Sequence, residues 1–112
     1  MPIRRWRTIL TPPDTGVANM ALDEALMERS AATGEWICRV YAWSAPTISF
    51  GRNQSALRDY DRGRLEQRLA AVRRPTGGRA ILHHREVTYC VTAPTSEAID
   101  LIESTIPGAP QA

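Results

Sequence analysis

The chain has 112 residues, and its 14 basic residues are all arginine, set against 12 acidic residues. This length corresponds to one small domain or to part of a larger one, and 43% apolar with 23% charged residues is typical of a globular protein. The net charge of only +2 is spread along the chain, which argues against a nucleic-acid-binding surface. Its apolar runs are too short to span a membrane and its first residues lack a secretory signal, so we expect a cytoplasmic protein.

The first half of the chain is predicted to begin with a strand over residues 4–10, followed by a helix over residues 17–32. Asp14 or Thr15 is the expected cap of that helix, and Gly34 stands where a helix ends.

The helical spacing predicts an apolar face made of Met20, Leu22, Ala25, Leu26 and Arg29. Two polar residues, Asn19 and Asp23, lie one turn apart on the same face. They either hydrogen-bond to a glycine-rich loop further along the chain or lie in solvent. Glu24 is expected to be exposed.

The rest of the sequence predicts further strands and helices. We expect strands over residues 36–43, 47–50, 80–83 and 87–92, a helix over 59–71, and a last helix from 95 to about 106. The predicted fold class is α+β, with a mixed, largely antiparallel sheet and packed helices.

The segment 73–79, with the sequence RRPTGGR, carries the most chemical information. Adjacent glycines let the backbone approach a ligand closely, successive backbone amides form anion sites, and arginine forks suit carboxylates or phosphates. The alternative is a β-hairpin in which the glycines only turn the chain. The turn after Phe50, over residues 51–54, has the same two interpretations.

Neighbouring strand residues point to opposite faces, so only one of His83 and His84 faces this loop. A metal site is not expected, because no further Cys or His follows at ligand spacing. Cys38 and Cys90 are interpreted as buried thiols on strands.

No residue is predicted to be a catalytic nucleophile. Ser49, Ser55 and Thr76 have no evident base partner, and no carboxylate pair is apparent. The chain's lack of lysine also excludes Schiff-base chemistry. The residues alone therefore indicate a pocket for a small anionic ligand or an acyl group.

Three segments in order resemble the lipoate–protein ligase A and octanoyltransferase family: 19–26 (NMALDEAL), 39–54 (RVYAWSAPTISFGRNQ) and 73–83 (RRPTGGRAILH). The resemblance covers about residues 4 to 93. It implies a fold related to biotin–protein ligases and class II aminoacyl-tRNA synthetases, and transfer of octanoyl or lipoyl groups onto a lysine of a lipoyl domain. The Arg-Arg-Pro-Thr-Gly-Gly order departs from the biotin-ligase loop pattern.

By position in the family's loop, the resemblance implies substrate-binding roles for seven residues: Arg73, Arg74, Thr76, Gly77, Gly78, Arg79 and His83. Arg79 replaces the third glycine of many ligases, which resembles the transferase branch that takes octanoyl from acyl carrier protein without ATP. The implied partners are lipoyl-domain proteins and acyl carrier protein. No covalently bound cofactor is expected, and ATP and Mg are implied only for a ligase.

The family's members are longer and carry a later lysine, and the transferases also carry a later nucleophilic cysteine. Residues 1–112 are therefore expected to be the N-terminal part of the catalytic domain, with a divergent tail over 93–112, inactive alone. Apolar residues such as Ile81 and Val91 should be incompletely covered. The alternatives are a fragment of an ATP-dependent lipoate–protein ligase, or a non-catalytic subunit that a complementary chain completes.

Overall fold

A computed structural model describes residues 6–55 and 69–105 of the chain. The elements in this part are β1 (Trp6–Leu10), α1 (Gly16–Thr33), β2 (Trp36–Tyr41), β3 (Thr47–Phe50), β4 (Ala70–Arg73), β5 (Ile81–His83), β6 (Thr88–Thr92) and α2 (Thr95–Thr105).

The strands form two sheets of three. In the first sheet β2 is central, with β1 parallel on one side and β6 antiparallel on the other. In the second, β3 is central, with β4 parallel and β5 antiparallel. The mixed α+β class is confirmed, and in the described strands each sheet combines one parallel with one antiparallel pairing.

Helix α1 has the ends that its sequence predicts. The Thr15 side chain accepts a hydrogen bond from the backbone N–H of Ala18, and Gly34 closes the last turn with a φ of +78°. A hydroxyl cap satisfies an N–H group that has no partner inside the helix, and glycine takes the left-handed conformation without steric cost.

The predicted apolar face of α1 is wrong in part. Met20 and Leu26 are buried, whereas Ala25 and Arg29 are exposed and Leu22 is half-buried. The buried face instead includes three polar side chains, which are Asn19, Asp23 and Ser30. They are four and seven positions apart, which is one and two helical turns, so a polar stripe faces the sheet.

Arg39 of β2 explains the burial of Asn19 and Asp23, whereas Ser30 donates a hydrogen bond to Thr92 of β6. The Arg39 side chain is buried and donates hydrogen bonds to Asp23 Oδ1 at 2.8 Å and to Asn19 Oδ1 at 2.7 Å. Tyr41 donates to the second carboxylate oxygen of Asp23 at 2.7 Å, and the guanidinium lies 3.8 Å from the centre of the Tyr41 ring. Asn19 and Asp23 therefore fix α1 to β2, neither binding the glycine-rich loop nor lying in solvent. Glu24 is exposed as predicted.

The predicted helix over 59–71 is wrong at its end. Ala70 and Ala71 belong to β4, where they pair in parallel with Thr47 and Ile48. Alanine favours a helix locally, but parallel pairing with β3 supplies long-range hydrogen bonds that override a weak propensity. The rest of that prediction lies outside the described residues.

The later elements match their predictions closely. Strand β5 lies within residues 80–83, β6 lies within 87–92, and α2 begins at Thr95. The predicted end of α2 at 106 lies outside the described residues. In the first half, β2 ends at Tyr41, two residues before the predicted strand end, and Trp43 instead forms a single bridge with Asp14.

Both cysteines lie on paired strands of the first sheet, Cys38 on β2 and Cys90 on β6. They are free thiols and half-buried rather than fully buried.

Apolar side chains of β5 and β6 are incompletely covered, as expected. Ile81 is 48% exposed and Val91 is 49% exposed. Their neighbours Leu82 and Tyr89 are more exposed still. Within the described residues, neither helix has the length and apolar character needed to cross a bilayer.

We predict that Asp23→Asn destabilises the chain by about 3–5 kcal/mol, because it leaves the buried Arg39 charge without its counter-ion. Glu24→Gln, on the exposed side of the same helix, is the matched control and should change stability by less than about 0.5 kcal/mol. Urea unfolding followed by circular dichroism measures both. Equal midpoints for the two variants would contradict the role given to Asp23.

Candidate functional site

The glycine-rich loop, residues 74–80, is not a hairpin turn. It joins β4 to β5, which lie on opposite sides of β3 and do not pair with each other. The loop therefore crosses the end of β3. The hairpin interpretation of the two glycines is wrong, because a hairpin requires its two flanking strands to be neighbours.

Gly51 and Gly78 make this crossing sterically possible. A Cβ atom built on Gly51 would lie 1.9 Å from the carbonyl oxygen of Gly78, and Gly78 itself has a φ of +98°. Backbone hydrogen bonds fix the crossing on both sides, from Arg52 N–H to Thr76 at 2.8 Å and from Arg74 N–H to Phe50 at 2.8 Å. The turn at 51–54 thus supports the loop from β3.

The Arg74 side chain folds back into the loop. Its Nη1 donates to the carbonyl oxygen of Ser49 at 3.0 Å and to the Ser49 hydroxyl at 2.7 Å. Its Nη2 donates to the carbonyl oxygens of Gly77 at 2.9 Å and Arg79 at 2.8 Å. One guanidinium therefore holds the loop's shape and ties it to β3.

Arg73 points away from the cavity described below. Its Nη1 donates to the carbonyl oxygens of Gly51 at 2.8 Å and Gln54 at 2.6 Å. It borders a second cavity of about 560 Å³ that Val17 and Glu24 of α1 also line. Arg74 borders this second cavity as well, but unlike Arg73 it also lines the cavity described below.

His83 lies under the loop and is only 5% exposed, whereas His84 is exposed. The prediction that one of the two histidines faces this region is confirmed. The His83 ring stacks on Trp43, with ring centres 4.0 Å apart and planes 14° apart. Its Nε2 lies 2.7 Å from the Ser49 hydroxyl, and its Nδ1 lies 2.5 Å from Glu86 Oε1.

The expectation that Ser49 lacks a base partner is therefore wrong. Ser49 has His83 within hydrogen-bond distance. Its side chain is nevertheless fully buried and also accepts a hydrogen bond from Arg74. A nucleophile must reach the reacting atom, so this hydroxyl acts as a link between side chains. The serine and histidine are 34 positions apart and are brought together only by the pairing of β3 with β5.

A cavity of about 860 Å³ lies beside the loop and is bordered by α1, β5 and β6. Six of the seven predicted site residues line it: Arg74, Thr76, Gly77, Gly78, Arg79 and His83. Its volume lies within the range of about 300–1,000 Å³ that is usual for small-molecule sites.

The apolar wall of this cavity was not predicted from the sequence. It includes Met20 and Met27 of α1, Ile81 of β5 and Val91 of β6. Helical spacing alone assigned Met20 to a core, and nothing in its residue type distinguishes a core side chain from one that borders a cavity. Together with Arg74 and Arg79, this wall makes the cavity suitable for a ligand with an apolar chain and an anionic or strongly polar head.

Cys90 also lines the cavity, but it is a poor nucleophile. Burial, followed by the nearby negative charge of Asp23, raises the pKa of the Cys90 thiol to about 12. The thiolate is the reactive form of cysteine, so Cys90 remains protonated and unreactive near neutral pH. Within residues 6–55 and 69–105, no three His, Cys, Asp or Glu side chains are grouped so that they could hold a metal ion.

The sequence model of the lipoyl protein ligase A/B catalytic domain matches residues 15–105 of the chain. The chain belongs to this family. The resemblance seen in its three motifs is thereby confirmed, and the glycine-rich loop described above is part of a lipoyl ligase A/B catalytic domain.

The chain is similar in sequence to octanoyltransferases LipM of several bacteria. That of Moorella thermoacetica is 45% identical over 95 residues, which cover 83% of this chain and 35% of the relative. That of Kyrpidia tusciae is 43% identical over 96 residues, with 84% and 35% covered. The chain spans about a third of the length of these relatives.

Solved structures confirm the fold. Protein Ta0514 of T. acidophilum, solved with bound lipoic acid, superimposes with a TM-score of 0.70 at 21% identity, covering 89% of this chain and 43% of that one. A lipoate-protein ligase A bound with ATP superimposes with a TM-score of 0.69 at 20% identity, covering 88% and 42%.

We predict that Gly51→Ala loosens the loop from β3, because the added methyl group would overlap the Gly78 carbonyl oxygen. Gly77→Ala is the control, since no atom lies within 4 Å of a Cβ at that position. Gly51→Ala should lower the thermal midpoint and speed proteolytic cleavage within 74–80, with a stability loss of roughly 1–3 kcal/mol. A Gly51→Ala variant as resistant as Gly77→Ala would contradict the close crossing.

We also predict that the Cys90 thiol reacts slowly in the folded chain. In a Cys38→Ala background, alkylation by iodoacetamide at neutral pH should be at least roughly 50-fold slower than in denaturing urea, because fewer molecules carry the thiolate. The folded-state rate should rise as the pH approaches about 12. Equal rates in folded and unfolded chains would contradict the raised pKa.

Proposed function

We propose that this chain is the N-terminal part of an enzyme of protein lipoylation that transfers octanoyl or lipoyl groups to a lysine of a lipoyl domain. In this proposal the chain supplies part of the acyl-binding pocket. The observation that supports it most is the cavity of about 860 Å³ in which an apolar wall faces an arginine- and glycine-rich loop.

The two sides of the cavity would contact different parts of the ligand. Met20, Met27 and Ile81 would bury the hydrocarbon chain, since removing apolar surface from water stabilises the complex. The loop would receive the polar head, through the charges of Arg74 and Arg79 and through its backbone amides. Thr76, Gly77, Gly78 and His83 complete this proposed substrate-binding set, and Arg73 contributes by supporting the turn at 51–54.

The octanoyltransferase branch is the preferred assignment. The relatives named above are octanoyltransferases. The motif resemblance also implies that Arg79 stands where many ligases of the family have a third glycine. An acyl donor carried by an acidic carrier protein would be attracted by this added positive charge. The alternative is an ATP-dependent lipoate–protein ligase, which would also need Mg.

The described chain is proposed to be inactive alone. Acyl transfer requires a group that stabilises the developing oxyanion and, in a covalent route, a nucleophile. The chain contains no lysine. Cys90 is held protonated and Ser49 is buried, so neither supplies the nucleophile.

The expected macromolecular partners are a lipoyl domain and an acyl carrier protein. A complementary chain would be a third partner. The exposed apolar side chains on β5 and β6, among them Leu82 and Tyr89, support this proposal. A structural neighbour of 23% identity and TM-score 0.67, from Thermoplasma acidophilum, is a bi-partite lipoate protein ligase described with its E2 lipoyl domain.

Calorimetric titration with octanoate tests the pocket. We expect saturable binding to the purified chain, and much weaker binding of butyrate, which leaves most of the apolar wall uncovered. Arg79→Gln should weaken octanoate binding by roughly tenfold, the size expected for losing a charged partner. Arg29→Gln removes an arginine from the exposed side of α1 and should leave the affinity unchanged.

Equal binding of octanoate and butyrate would contradict an acyl pocket, and equal effects of the two arginine substitutions would contradict the role of Arg79. The same preparation, given octanoyl acyl carrier protein and a lipoyl domain, should produce no acylated product. Robust acylation by the chain alone would overturn the proposed inactivity.

A further inference from the structure

Four polar side chains form a continuous line beneath the glycine-rich loop. Glu86 Oε1 lies 2.5 Å from His83 Nδ1, His83 Nε2 lies 2.7 Å from the Ser49 hydroxyl, and that hydroxyl lies 2.7 Å from Arg74 Nη1. The line joins three separate parts of the second sheet: β3, the start of the loop after β4, and the end of β5. Glu86 and Ser49 do not line the cavity, whereas His83 and Arg74 do.

The chemistry of the four groups fixes the direction of donation. The Glu86 carboxylate only accepts, so His83 Nδ1 carries the proton and donates it to Glu86. In the neutral imidazole Nε2 is then an acceptor and receives the Ser49 proton, while the Ser49 oxygen accepts from the Arg74 guanidinium, which only donates. A single tautomer of His83 satisfies the whole line, and Glu86 is the residue that selects it.

The Arg74 end of this line sets the direction of two backbone N–H groups in the loop. Arg74 Nη2 holds the carbonyl oxygens of Gly77 and Arg79. In a trans peptide the N–H points opposite to the C=O, and all described peptides are trans. The N–H groups of Gly78 and Ala80, both on the cavity wall, are therefore directed away from the guanidinium.

We propose that Glu86 and Ser49 are positioning residues of the acyl site. They act through His83 and Arg74 to hold the loop, with its arginine charge and two directed N–H groups, in the form that binds the polar head of the ligand. This inference rests on the proposed function for its ligand, but the tautomer of His83 is measurable without any ligand.

Ser49 and His83 are therefore not assigned as a nucleophile and its base. The Ser49 side chain is fully buried, and the indole of Trp43 covers one face of the His83 ring. A hydroxyl whose oxygen already accepts from an arginine is also a weaker nucleophile, because that hydrogen bond withdraws electron density from the oxygen.

The test uses His84→Gln as the parent, because it leaves His83 as the only histidine of the chain. Nitrogen-15 NMR of the imidazole reports the tautomer, and octanoate titration reports the affinity. We expect the Nδ1–H form in the parent. Glu86→Ala should give mixed tautomers and bind octanoate roughly tenfold more weakly, with its unfolding midpoint close to that of the parent.

Glu86→Gln is the rescue variant, since its amide oxygen still accepts from Nδ1–H, and it should retain both the tautomer and the affinity. Ser49→Ala should weaken octanoate binding to a similar extent. Ser49 is buried, and if Ser49→Ala does not fold, Glu86→Ala alone tests the inference. Glu28→Gln and Ser44→Ala, both at exposed positions, are the matched controls and should behave as the parent.

The inference is overturned if the parent shows the Nε2–H form, or if Glu86→Ala leaves both tautomer and affinity unchanged. If the parent binds no octanoate, the proposed function fails while the NMR measurement still decides this inference. A tautomer change in Glu86→Ala, accompanied by shifted amide resonances of Gly78 and Ala80, would then support it.

Discussion

The buried charge of Arg39 is the constraint on which the arrangement of α1 depends. An ion of this size is tolerated inside a protein only when a counter-ion and further hydrogen-bond acceptors surround it. Asp23 and Asn19 meet that requirement from one face of α1, and this fixes both the rotation of the helix and its position along β2. Met20 and Met27 consequently point into the cavity beside the loop. The apolar wall of the site is thus set by a polar contact on the same helix.

The second sheet provides the other half of the site through one close backbone contact. Because β3 lies between β4 and β5, the connection between those two strands must pass over the end of β3. Only a residue without a side chain leaves room at position 51. Two carbonyl groups of the loop then bind the guanidinium of Arg74. The loop's shape therefore belongs to the fold and does not have to be induced by a ligand.

Local patterns predicted the elements well and their partners poorly. The hydroxyl and glycine at the ends of α1 and the β-branched runs of β2, β3 and β6 are short-range signals, and they identified those elements. The polar face of α1 was missed because its partner, Arg39, is on another element. Ala70 and Ala71 favour a helix in the local sequence, which carries no signal of their pairing with β3 more than 20 positions earlier. The loop's motif indicated the site, but the contact of Ser49 with His83 arises only from strand pairing.

Contacts in this chain differ greatly in the length of sequence that they enclose. Arg39 meets Asp23 across 16 positions and Asn19 across 20, whereas Ser49 meets His83 across 34 and Ser30 meets Thr92 across 62. Closing a longer loop costs more conformational entropy before any contact compensates it. Of these four contacts, the two between α1 and β2 therefore carry the smallest loop-closure cost. The cavity needs β5 and β6 in place, so the parts of the molecule proposed to meet the ligand depend on the contacts whose loops are the most costly to close.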